Sequence, residues 1–131
     1  MNKITFIVGC FILALGLIIS MGIVSRSNQN SKQDASLENV VIQDGVQYIT
    51  VTAEGGYTPR VSNAQANIPT KLIMKTNNTY DCSSALVIRS INYQKILSPT
   101  GEEVIDLGTP ATGSIQGTCS MGMYGFVINF K

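Results

Sequence analysis

Near the C-terminal end, Cys119-Ser120-Met121-Gly122-Met123 sets one thiol and two thioethers at alternate positions. A second thiol, Cys82, stands in the middle of the same half of the chain, and the 131 residues include no histidine. Sulfur-only donor sets are selective. Thiolate and thioether favour a soft monovalent ion such as Cu(I), whereas imidazole suits Cu(II), zinc and nickel. A structural zinc site calls for four cysteines or a mixture of cysteine and histidine. A blue-copper centre needs two imidazoles besides its cysteine and axial methionine. Neither set exists here, so Cu(I) is the ion that Cys82, Cys119, Met121 and Met123 suit. Such open, low-coordinate sulfur sites favour exchange of the ion between proteins over redox cycling.

If the string is extended, Cys119, Met121 and Met123 line one face, because side chains two apart in a strand point the same way. If it is a loop, Gly122 frees the backbone to turn and both thioethers can converge. Without histidine there is no Ser-His-Asp or Cys-His arrangement. Glu102-Glu103 reads as a solvated acidic pair rather than an acid/base dyad. No enzymatic activity is expected.

The elements that must position the sulfurs are short strands. Val46–Ala53 alternates as a strand does. Further candidates are 61–65, 71–76, 85–89, 93–96, 103–107, 114–118 and 124–130, separated by Gly, Pro and Asn turn signals. Tyr57-Thr58-Pro59 is expected in a loop, and Met74 as a core residue in strand register. Tyr80 and Asp81 adjoin Cys82, where orienting the thiol and plain turn chemistry both explain them. Regularly spaced short strands without a helical period predict an all-β antiparallel sandwich or barrel of about seven to eight strands.

The apolar residues are unevenly spread. Ile4 to Val24 carries no charge, and at about 1.5 Å rise per residue it matches the hydrocarbon thickness of a bilayer. It predicts a single transmembrane helix at residues 1–25. Ile7-Val8-Gly9-Cys10 matches a lipobox, but the apolar run continues past Cys10. Residues 26–43 read as a flexible polar linker and 44–131 as the folded domain. With Lys3 set aside the charges balance and no basic patch forms, so nucleic acid is not an expected partner.

Gly55-Gly56-Tyr57-Thr58-Pro59, Lys71-Leu72-Ile73-Met74-Lys75, Cys82-Ser83-Ser84 and Cys119-Ser120-Met121-Gly122-Met123 together resemble the bacterial cupredoxin-like metal-binding family. The likeness runs from Tyr48 to Phe130. With its anchor and tether, the chain is similar to the CupA-type membrane-anchored copper chaperones of Gram-positive bacteria. The resemblance implies a cupredoxin β-sandwich without blue-copper histidines and a surface site for one or two Cu(I) ions on Cys82, Cys119, Met121 and Met123. It implies as partner the metal-binding domain of a copper-exporting P-type ATPase, with the soluble domain facing the cytoplasm from a single-pass anchor. Many relatives carry Phe-Pro after the first cysteine, where this chain has Ile88-Arg89-Ser90. Two other readings compete: a thiol–disulfide redox protein using a Cys82–Cys119 pair, and a tethered β scaffold for adhesion or assembly.

Overall fold

Alternation of buried and half-buried residues organises the domain. In β2 (Val46–Ala53) the buried positions are Gln47, Ile49, Val51 and Ala53. In β5 (Thr70–Thr76) they are Thr70, Leu72, Met74 and Thr76. β10 (Gly125–Phe130) buries Phe126, Ile128 and Phe130. A period of two puts each set on one sheet face, and the faces meet in a common core. The computed structural model describes residues 39–131. The expected anchor and most of the expected linker lie outside the described residues.

Among the described residues ten strands form two five-stranded sheets. One runs β1 (Val40–Gln43), β2, β5, β8 (Gly101–Asp106), with the two-residue β3 (Tyr57–Thr58) paired to β2. The other runs β4 (Val61–Ala64), β10, β9 (Gly113–Cys119), β6 (Ala85–Ile88), β7 (Tyr93–Ile96). Every strand expected from the sequence is present within a residue or two. The architecture is an all-β sandwich of two sheets.

The structure differs from expectation in its strand count and in the direction of two pairings. Among the described residues the strand count is ten, not seven or eight, because β3 is only two residues long and β1, exposed from Val41 to Gln43, shows no alternation of burial. β3, expected as loop, pairs through Thr52 with Thr58 and Ala53 with Tyr57. β1 lies within the stretch read as linker. It folds back on β2 through Asp44-Gly45, both at positive φ. Nor is the sandwich purely antiparallel: β2 pairs parallel with β5, and β4 parallel with β10. After β2 the chain passes through β3 to β4 in the opposite sheet before re-entering at β5. The return path is spent in the other layer, so β5 must start from the same end as β2.

That topology collects four connections at one end of the sandwich: those after β2, β5, β7 and β9. The connection after β5 carries Cys82 and the one after β9 follows Cys119. Met74 is fully buried and belongs to the core. Glu102 and Glu103 are each held by a lysine: Lys75 at 3.2 Å and Lys95 at 2.7 Å. The Lys95–Glu103 pair joins β7 of one sheet to β8 of the other. Among the described residues no helix is long and apolar enough to cross a membrane.

Candidate metal centre

Cys119 is the last residue of β9, opposite Leu86 of β6, and only 1% exposed. Its backbone N–H donates to the Tyr124 carbonyl at 3.0 Å, and its carbonyl accepts from Gly122 N–H at 2.9 Å. The chain reverses there with Gly122 at φ +72°, a left-handed conformation that glycine adopts freely. Ser120 N–H donates to Ala85 O at 2.8 Å, fastening the turn to β6. The string is therefore a loop beyond Cys119, not an extended strand.

Cys82 opens a 3₁₀ turn, Cys82–Ser84. Asp81 caps it, one carboxylate oxygen accepting from Ser83 N–H at 3.1 Å and Ser83 Oγ at 2.8 Å. Side-chain oxygens of aspartate satisfy the free amides at such ends. The other oxygen accepts from Gly55 N–H at 3.4 Å. Tyr57 Oη donates to Ser83 O at 3.0 Å, and its ring meets Phe126 edge-on at 5.1 Å between centroids. Burial, with Asp81 adding to it, pushes the Tyr57 phenol up to about 12, so it is a neutral donor throughout the physiological range. The Gly55-Gly56-Tyr57 segment thus braces the Cys82 turn from below. Tyr124 lies against Gly56, whose φ of +132° suits glycine.

These two loops bring Cys82 and Cys119, 37 residues apart in sequence, to a Cα separation of 5.8 Å with the sulfurs joined as a disulfide. A Cα spacing in this range lets two cysteine side chains either bond or, once reduced, share a small ion by rotation about χ1. Met123 N–H donates to Cys119 Sγ at 3.2 Å. Met121 and Met123 are 78% and 63% exposed, on the loop that roofs Cys119. Of the four sulfur residues singled out in the sequence, the fold pairs the thiols and leaves both methionines exposed on the loop that follows Cys119. Among the described residues no three His, Cys, Asp or Glu side chains gather at one point.

Tyr80 is exposed, and the bonds of Asp81 are those of a turn cap. Sequence reasoning gave no role to Ser83, whose N–H and Oγ donate to Asp81 and whose carbonyl accepts from Tyr57. Its signal was the Asp-x-Ser spacing at the start of a turn. Hydrogen bonds to the charged form, first that from Ser83 N–H, hold the Asp81 carboxyl below the usual carboxylate range. A depressed folded pKa means the cap contributes fully above the ordinary carboxylate pKa. Its contribution is lost as pH falls through the lower folded value. Asp81→Ala is therefore expected to unfold at lower denaturant than the parent near neutral pH. The gap should close on acidification, and a gap independent of pH would count against the cap.

The model of the cupredoxin-like domain family matches residues 14–128. The chain belongs to the cupredoxin-like domain family. No curated protein sequence matches it. Among the solved structures that match, two share its fold over most of their own length. One is the metal binding domain of the Streptococcus pneumoniae D39 Cu(I) exporting P-type ATPase CopA with Cu(I). Its TM-score is 0.62 at 20% identity, covering 70% of this chain and 92% of that one. The other is a copper binding protein solved by NMR in the apo form. Its TM-score is 0.64 at 21% identity, covering 70% of this chain and 94% of that one. At these identities the likeness is one of fold.

Proposed function

We propose that this protein is a membrane-tethered Cu(I) chaperone of the CupA type, serving copper homeostasis and resistance rather than catalysis. Cys82 and Cys119 are its anchoring thiolates, and Met121 and Met123 are softer, displaceable ligands. One or two Cu(I) ions are the cargo, and the recipient is the metal-binding domain of a copper-exporting P-type ATPase. The apolar run from Ile4 to Val24 supplies the tether. The domain faces the cytoplasm, where thiols stay reduced. The observation that carries this reading is the convergence of two distant cysteines at one end of the sandwich, under a solvent-open loop bearing two methionines. The family and the metal binding domain with Cu(I) among its structural neighbours support it.

The buried thiol gives affinity. The exposed thioethers offer weaker bonds that an incoming thiolate displaces, so the ion passes by ligand exchange without going free. Met121→Leu with Met123→Leu, which keep volume and remove both thioethers, are expected to slow transfer to an acceptor domain about tenfold, near 1.4 kcal/mol in the barrier. Retention by the cysteines should remain. Stopped-flow transfer to a purified acceptor measures this, and unchanged rates would remove the thioethers from the mechanism. Loading the full-length protein with Cu(I), mixing it with the ATPase domain and quantifying copper on each after separation tests the whole reading. Failure of the ion to move would overturn it. Protease accessibility of the domain in intact cells tests its orientation.

A second reading has one observation in its favour. The Cys82–Cys119 bond fits a thiol–disulfide redox protein, in which the methionines have no part. The two readings exclude one another at any instant, because sulfurs bonded together cannot both donate as thiolates to copper.

A further inference from the structure

The two sulfurs of the pair are not equivalent. Cys119 is 1% exposed, pinned at both backbone groups, and its Sγ accepts the Met123 N–H. Cys82 is half-buried at the start of a turn on the rim of the same end. Thiol–disulfide exchange depends on which sulfur the nucleophile can reach and on how well the departing sulfur carries negative charge. Reach selects Cys82 as the sulfur attacked, and the Met123 N–H supports Cys119 as the one that departs. A nucleophile must approach along the S–S axis from behind the sulfur it attacks, and the backbone of β9 and its loop covers Cys119. Burial alone disfavours a thiolate at Cys119, but the aligned Met123 N–H offsets that by donating to the charged sulfur.

We propose that the Cys82–Cys119 bond is a directional redox gate on the copper site, opened by small cellular thiols at Cys82 with Cys119 as leaving group. In the first step a thiolate RS⁻ attacks Cys82 Sγ. The R–S–Cys82 bond forms, the Cys82–Cys119 bond breaks, and its electron pair stays on Cys119 Sγ under the Met123 N–H. In the second, another RS⁻ attacks the outer sulfur, giving RSSR and releasing the Cys82 thiolate. Two thiolates are oxidised and the cysteine pair is reduced by two electrons, with no further reactant. The reduced pair is the form able to take Cu(I), so the thiol balance of the compartment sets whether the site loads. The gate rests on the copper reading only for its purpose; the exchange chemistry stands by itself.

The test needs no copper, so its failure leaves the copper reading untouched. Oxidised full-length protein in detergent is mixed with equimolar glutathione, quenched with acid, alkylated and mapped by mass spectrometry. Glutathione is expected on the Cys82 peptide and the alkyl label on Cys119. Rapid closure of the gate by Cys119 could erase the mixed species, so the two sulfurs are also compared in isolation. In a Cys10→Ser background, so that the third cysteine adds no signal, Cys119→Ser and Cys82→Ser are each converted to the mixed disulfide with thionitrobenzoate, and its release by glutathione is followed by absorbance. The Cys82 adduct should be released at least ~10-fold faster than the Cys119 adduct. Equal release, faster release from Cys119, or glutathione mapped to Cys119 would each overturn the proposal.

Discussion

Cys119→Ser is expected to weaken Cu(I) binding by at least about a thousandfold, near 4 kcal/mol. Serine keeps the volume of the side chain and replaces a soft, ionisable donor with a hard, neutral one that Cu(I) disfavours. Cys82 alone then faces the ion with two thioethers on an exposed loop, and the sulfur that accepts the Met123 N–H is gone. Competition against a chromophoric Cu(I) chelator reads the loss directly. A thermal melt of the reduced apo variant separates ligation from packing, since Cys119 also belongs to the core. Affinity within about threefold of the parent, a difference below 1 kcal/mol, would show that Cys119 is not a ligand.

Phe126→Ala should lower the stability of the domain by about 3–5 kcal/mol, the range for removing a buried aromatic side chain. Phe126 is fully enclosed, and it faces Gly117 across the β9–β10 ladder. A Cβ on Gly117 would come within 2.2 Å of the Phe126 ring, so the glycine is what makes room for it. The ring also supports Tyr57, whose hydroxyl holds the Ser83 carbonyl of the Cys82 turn. A core cavity is thereby transmitted to the site. Denaturant unfolding should show a lower midpoint at an unchanged slope, the sign of altered stability without a change in the exposed surface. A loss below about 1 kcal/mol would mean that the core collapses around the gap and that the support of Tyr57 is dispensable.

The strands were legible wherever a period of two ran for four residues or more. β2 and β10 alternate through their whole length, and the Lys71–Thr76 pattern placed Leu72 and Met74 in the core correctly. The strands that escaped have no period to show: Tyr57–Thr58 is held by two cross-strand pairs, and Val40–Gln43 leaves Val41 and Ile42 exposed. The parallel pairings were illegible for a different reason. They depend on which sheet β4 joins, a tertiary choice that no local pattern encodes.

At the site, residue types spoke more clearly than geometry. The absence of histidine and the C-x-M-x-M string singled out four sulfurs, and the fold joins Cys82 to Cys119 at the end where both methionines lie. The sequence left open whether that string was strand or loop, and the turn at Gly122 decides for loop. It could not show that Cys119 is enclosed while Cys82 stands at the rim. That difference arises from β6, β9 and the Gly55-Gly56-Tyr57 segment packing around the pair, contacts remote in sequence.

X-ray absorption at the copper edge of the reduced, Cu(I)-loaded protein tests the central claim most directly. The expected spectrum is that of Cu(I) surrounded by two or three sulfur atoms, with a sulfur contribution that falls in Met121→Leu with Met123→Leu and collapses in Cys119→Ser. A first shell dominated by nitrogen or oxygen, or a sulfur shell unchanged by Cys119→Ser, would contradict it.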